Sequence, residues 1–212
     1  MHKITLKTTL STGLHPKAQK AVAKTQLNRF LDEMPEGTIA YVAGGAPRDW
    51  HHGWGCRDLD IFFYVPKEHA EAASVVLNNT YSMMKKGYGY YGVDGNEEIM
   101  SVHEYDIEKY SKGHSMAHRI CQLVRVNKNP LEVINDFPIS LSRIWMNKEG
   151  EIYCDDYYRM SYNSRVIHEI HQRQGWNYVY LDKILGRFSQ YSFMPMNWEG
   201  RRPEEDQLWE SA

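Results

Sequence analysis

The amino-acid sequence predicts an α+β domain in which a mixed sheet is flanked by helices, and three local patterns carry that expectation. An amphipathic helix lies near the start, a short apolar strand runs directly into a glycine turn and a second helix, and a strand with two acids on one side follows. Later segments read as three strands in succession followed by two helices. Residues 1–158 are expected to form the main domain, with residues 159–212 as a small helical C-terminal extension and acidic tail packed on it.

The helical pattern over Pro16 to Met34 places Leu27, Phe30, Leu31 and Met34 on one face, and Pro35-Glu36-Gly37 ends it. Thr38 to Ala43 reads as a strand, Gly44-Gly45 as a turn, and Pro47 as the start of a helix, where its fixed φ suits the first turn. A second strand is expected over Asp58 to Val65 and a helix from Lys67 to about Asn78. The Gly- and Tyr-rich stretch Gly87 to Gly95 reads as an ordered loop or irregular hairpin. Strands are expected at Ser101 to Ile107, Arg119 to Val126 and Ile139 to Met146, and helices from Arg159 to about Gln172 and from Tyr178 to about Phe188.

A chain of 212 residues with 42% hydrophobic content can bury one ordinary core. Its 25 Lys and Arg oppose 27 Asp and Glu, so a field attracting nucleic acid over the whole molecule is excluded and any such contact must be local. Without an 18-residue apolar run or a leader-like start, and with Cys56, Cys121 and Cys154 too few and too scattered for a disulfide framework, the chain is expected to be cytoplasmic and not membrane-bound.

Alternation along a strand sets Asp58 and Asp60 on the same side, roughly 6.5–7 Å apart at Cα. Such a pair suits Mg²⁺ or Mn²⁺, whose chemistry activates an attacking oxygen and neutralises a leaving pyrophosphate. A bare Asp-x-Asp is also compatible with a solvated charge cluster at a strand start. The upstream loop favours chemistry: Gly44 and Gly45 let the backbone approach a phosphate, and Arg48 carries a guanidinium fork suited to a triphosphate.

The run Val42-Ala43-Gly44-Gly45-Ala46-Pro47-Arg48-Asp49, eight further residues, and then Asp58-Leu59-Asp60-Ile61-Phe62 resembles a known signature. It is similar to the Gly-Gly-x-x-Arg-Asp and Asp-x-Asp motifs of the CCA-adding and poly(A)-polymerase branch of the polymerase β-like nucleotidyltransferase superfamily. The resemblance is closer still to small nucleotidyltransferase-like proteins of bacteriophages, and it covers about Ile39 to Val65. It implies the polymerase β-like fold, an NTP substrate gripped by Gly44 and Gly45, a loop ordered by Arg48 and Asp49, and metal held by Asp58 and Asp60. The implied activity is transfer of a nucleoside monophosphate to a hydroxyl on RNA, a protein or a small molecule. The alternative is a catalytically silent fold that binds nucleotide, RNA or a host protein as a phage accessory factor in the host cytoplasm.

The superfamily adds a third carboxylate as general base, and this chain departs from that pattern. Arg119 to Val126 carries Gln122 and no acid, and Pro138 stands where the phage group has an Asp, leaving Asp136 as the candidate on what the proline suggests is a bent edge strand. Glu205-Asp206 lacks the Arg of the base-reading Glu-Asp-x-x-Arg motif, so CCA addition is not expected. His168 with His171, and His51 with His52 and Cys56, lack a full ligand set for a transition metal. Lys17, Lys20 and Lys24 form a basic stripe compatible with an RNA backbone or with a plain solvated face, and Tyr88, Tyr90 and Tyr91 suit base stacking or loop packing.

Overall fold

A computed structural model describes residues 1–6, 15–83, 98–106, 120–170 and 178–196. The loop at Gly87 to Gly95 with its tyrosines, His171 and the acidic tail lie outside these residues.

Strand β1 (His2–Ile4) precedes helix α1 (Pro16–Glu33). The His15 ring accepts from the Lys17 N–H at 3.3 Å and Pro16 occupies the first turn, so the helix begins where its sequence favours it. Gln19, Ala23, Leu27 and Phe30 recur at helical spacing and are buried. Met34 turns extended before Pro35, as a residue preceding proline must, and ends the helix.

Strand β2 (Ile39–Ala43) leads into α2 (Gly45–His51), β3 (Asp58–Tyr64), a 3₁₀ turn (Lys67–His69) and α3 (Ala70–Thr80). Then come β4 (Ser82–Met83), β5 (Ile99–Asp106), β6 (Ile120–Val126), α4 (Pro130–Asn135), β7 (Ile144–Met146) and β8 (Ile152–Cys154). Helix α5 (Asp156–Ser164), β9 (Val166–His168), α6 (Tyr178–Arg187) and β10 (Ser192–Met194) complete the described elements.

The described strands form an eight-stranded sheet in the order β1-β8-β7-β2-β3-β6-β5-β4, and β9 pairs with β10 separately. The sheet is mixed: β3 and β6 are parallel, whereas β2 and β3 and also β5 and β6 are antiparallel. Leu59, Ile61 and Phe63 point into one core with Leu27, Phe30, Ala73 and Leu77, and Phe30 meets Phe63 edge to face with centroids 4.9 Å apart. Phe62 points the other way into a smaller core with Val124, Val133, Ile134 and Trp145, under α4. Leu181, Ile184 and Phe188 of α6 belong to the first core. No helix among the described residues is long and apolar enough to cross a membrane.

Three local expectations are corrected. Ile139 to Met146 is a strand only from Ile144; Ser140–Ser142 form a 3₁₀ turn because their buried polar groups bond to other elements rather than to a ladder. Ser161 Oγ donates to Ser140 Oγ at 2.7 Å and lies 2.8 Å from His168 Nδ1, while the His168 N–H donates to Ser140 Oγ at 3.0 Å. The helix expected from Arg159 to Gln172 stops at Ser164, where Arg165 turns left-handed with φ 60° and the chain enters β9, so His168 lies on a strand. Asp136 lies on no edge strand. It caps α4, a helix started by Asn129, whose side chain accepts from the Leu131 N–H at 3.0 Å, and by Pro130.

Candidate active site

The site is assembled at one end of β3 by its two neighbours. On one side Ala43 pairs with Asp60, so the turn leaving β2 begins beside that carboxylate. Gly44 has φ 72°, a conformation that strains any residue with a Cβ, and the position such a Cβ would take lies 3.9 Å from Asp60 Oδ2. The Gly44 N–H donates to the Ile144 carbonyl at 3.3 Å, anchoring the turn to β7. Asp58, exposed, and Asp60, half-buried, share the sheet face that carries Phe62, while Leu59 and Ile61 anchor the strand from behind.

On the other side the register continues from Asp60 to Gln122 on β6 and on to Glu104 on β5. Directly opposed residues share a face, so Asp60, Gln122 and Glu104 form one cross-strand row, with Glu104 roughly 10 Å from Asp60 at Cα, two strand spacings away. Asp106 takes the corresponding register position in the row of Asp58 and Ile120. Asp136 comes from the helix packed over this same face, where neighbouring Phe137 meets Phe62 with centroids 5.4 Å apart. Glu104 was not singled out from sequence; its signal, an acid at the alternating position of β5, has meaning only once β5 is known to flank β6.

Arg48 and Asp49 lie behind the glycine turn and are nearly fully buried. Arg48 Nε donates to Asp49 Oδ1 at 3.2 Å and its guanidinium covers the Phe188 ring at 5.2 Å. Arg187, from α6, places Nη2 2.7 Å from Asp49 Oδ2, donates to the Gly55 carbonyl at 3.2 Å and covers the Trp54 ring. Burial pushes the Asp49 carboxyl up, and the two arginines pull it back. The segment that leads into Asp58 is thus tied to α2 and α6 together. From the other side, Gln19 donates to the Cys56 carbonyl at 2.8 Å and accepts its N–H at 2.9 Å.

The candidate metal histidines are otherwise engaged. His51 lies 2.8 Å from the Tyr158 hydroxyl and stacks on Tyr162, and Cys56 is buried, which raises its thiol well above the usual range. His52 Nδ1 must donate to the Arg48 carbonyl at 2.8 Å, so neutral Nε2 accepts from the Tyr191 hydroxyl at 2.9 Å. Burial, with His51, Arg48 and Arg165 nearby, holds His52 down to about 4, although its bond to the Arg48 carbonyl opposes this. Unfolding lets it return to about 6.5. The unfolded chain therefore gains a proton first, and stability falls as pH drops from about 6.5 to 4, by up to about 3 kcal/mol from this group, then levels off. Urea melts across that range should show the fall, and His52→Gln should flatten it; an unchanged slope in the variant assigns the effect elsewhere.

Among the described residues no three His, Cys, Asp or Glu side chains gather closely enough to hold a metal by themselves. Two carboxylates still fit Mg²⁺, which keeps several waters and commonly takes one or two carboxylates together with substrate phosphates.

The chain is similar in structure to a tRNA-processing enzyme and to CCA-adding enzymes. A tRNA-processing enzyme in an apo form superposes with TM-score 0.52 at 13% identity, over 91% of this chain and 46% of its own. The chain has a nucleotidyltransferase fold. The Thermotoga maritima CCA-adding enzyme complexed with tRNA matches with TM-score 0.50 at 17% identity, over 89% of this chain and 40% of its own. The Bacillus stearothermophilus CCA-adding enzyme in complex with CTP matches with TM-score 0.50 at 16% identity, over 91% and 42%. This nucleotidyltransferase-fold chain thus spans less than half the length of each. No protein-family model matches it, and no curated protein matches it in sequence.

Proposed function

We propose that this chain is a metal-dependent nucleotidyltransferase that moves a nucleoside monophosphate from an NTP to a hydroxyl acceptor. The observation that carries this reading is the pairing of Ala43 with Asp60, which sets the Gly44 turn and the two carboxylates of β3 at one place. Gly44 and Gly45 form the phosphate grip together: Gly44, whose own N–H is held by Ile144, shapes the turn, the Gly45 N–H at the start of α2 receives a phosphate, and Arg48 and Asp49 hold that loop from behind. Asp58 and Asp60 hold Mg²⁺ or Mn²⁺, which when bound neutralises charge on the phosphates and lowers the pKa of the attacking hydroxyl. The hydroxyl oxygen bonds to the α-phosphorus, the bond to pyrophosphate breaks, and the hydroxyl proton passes to a carboxylate. Among the described residues Asp136, above the sheet face, and Glu104, within it, are the acids this reading assigns to it. Neighbours solved with CTP or with tRNA support an NTP donor and an RNA end as one acceptor class.

Incubation with each labelled NTP, Mg²⁺ or Mn²⁺ and a mixed pool of RNA and protein should attach label covalently to one component. Binding of Mg-NTP without any transfer would instead favour the silent, nucleotide-binding fold. Of Glu104→Gln and Asp136→Asn, the one that removes the base should slow single-turnover transfer by about 10²- to 10⁴-fold with little change in NTP affinity. Wild-type rates in both variants exclude both residues.

A further inference from the structure

On the sheet face opposite the carboxylates, β5 and β6 bury a group of donors that the transfer reading does not use. Arg125 is 9% exposed and His103 3% exposed. The row Phe63, Arg125 and Ser101 lies next to the row Ile61, Leu123 and His103, on the side facing α3. Arg125 Nη1 reaches Ser74 Oγ on α3 at 3.4 Å, a marginal hydrogen bond, and His103 Nε2 lies 3.2 Å from Ser101 Oγ. Arg125 Nε and His103 Nδ1 are buried with no hydrogen-bond partner, and among the described residues no carboxylate pairs with this guanidinium.

A buried cation normally has an anion, because losing its water is costly unless a partner replaces it. Here guanidinium N–H groups, a ring nitrogen and two hydroxyls occupy adjacent rows of one sheet face and the helix packed on it, a set of types suited to the oxygens of an anion. The backbone is shaped locally for it: a bulge shifts the register between Ile99 and Ser101, with Met100 as the extra residue, 48% exposed, and so sets Ser101 directly opposite Arg125. Burial and the nearby Arg125 charge lower the affinity of His103 for protons, so its ring is neutral near pH 7 and can present an N–H at Nδ1.

We propose that Arg125, His103, Ser101 and Ser74 form a binding site for a phosphoryl oxyanion, either free phosphate or the phosphate of a mononucleotide, separate from the candidate active site. Binding fills the unmet donors and fastens α3 to the sheet.

Thermal melts in inorganic phosphate, in AMP and in chloride of equal ionic strength test this without a catalytic assay. At about ten times Kd the ligand should raise the Tm of the wild type by about 3–5 °C. A response to inorganic phosphate identifies the free ion as sufficient, and a response to AMP alone identifies a nucleotide; either supports the site. Arg125→Met should abolish the rise and, in chloride, be at least as stable as the wild type, since it removes an unpaired buried charge. His103→Gln, which keeps an amide donor, should weaken phosphate binding about tenfold, read by ³¹P NMR titration if the first variant does not fold. Asp60→Asn should keep the full response, and stabilisation by Mg-NTP should survive in His103→Gln. An undiminished response in Arg125→Met or His103→Gln would place the anion elsewhere, including at the glycine turn, and overturn the proposal. No response of the wild type to either ligand overturns it as well, whatever the transfer assay shows.

Discussion

Replacing Asp60 with Asn is expected to lower nucleotidyl transfer by more than about 10²-fold, the loss seen when one preorganised electrostatic group is removed from a site, while the protein still folds. Asn keeps the shape of the side chain, and β3 retains its backbone pairings with β2 and β6, so the change falls on charge alone. Asp60 is the carboxylate beside the glycine turn, with Oδ2 3.9 Å from where a Cβ on Gly44 would stand, and an amide there cannot supply the negative charge that holds a divalent ion against a triphosphate. Single-turnover transfer with the labelled NTP, alongside a thermal melt, separates lost chemistry from lost fold. Asp58→Asn on the same face should behave alike, and full activity in both variants would remove the two acids from the mechanism.

Elements whose signals are local were legible in the sequence. The buried face of α1, the strand that ends at Gly44 and the alternation of β3 each depend on residues a few positions apart, and the structure has them within a residue or two of the expected bounds. Segments whose conformation depends on distant partners were not. Ile139 and Leu141 are apolar and alternate, yet they are buried from a 3₁₀ turn held by Ser161 and His168, more than 20 positions away. The end of α5 carries no glycine; Arg165 takes the left-handed position instead, where its guanidinium covers Tyr162 and Tyr191 and donates to the Tyr191 hydroxyl at 2.6 Å. Helix α4 is the contrary case. Asn129-Pro130 is a recognisable helix start, but the segment is only six residues long and offers little periodicity.

The candidate site divides in the same way. Gly44, Gly45, Asp58 and Asp60 stand close in the chain and could be grouped from it, whereas Glu104 enters only through the β6–β5 register and Arg187 only through the packing of α6. Asp136 shows the limit of reading position from a single residue type: Pro138 suggested a strand edge, and the chain there is the end of a helix.

Asp49→Ala is expected to destabilise the protein by about 3–5 kcal/mol, because removing one partner of a buried ion pair leaves the other charge inadequately compensated. At about 2–4 °C per kcal/mol for a chain of this size, Tm should fall by roughly 6–20 °C. The carboxylate joins two arginines that reach it from different elements. Arg48 approaches from its own helix and is itself buried, while Arg187 arrives from α6 and also fixes the Gly55 carbonyl. Arg187→Met should cost less, about half as much, since that guanidinium is 40% exposed and can be solvated by water, and Asp49 keeps Arg48. The pair of variants distinguishes a structural bolt from a phosphate ligand. If Arg48 and Asp49 act by ordering the loop, Arg187→Met should weaken Mg-NTP binding along with stability, although Arg187 itself need touch no substrate. A normal melt for Asp49→Ala, with NTP binding lost, would instead mean that this carboxylate and its arginines meet the nucleotide directly.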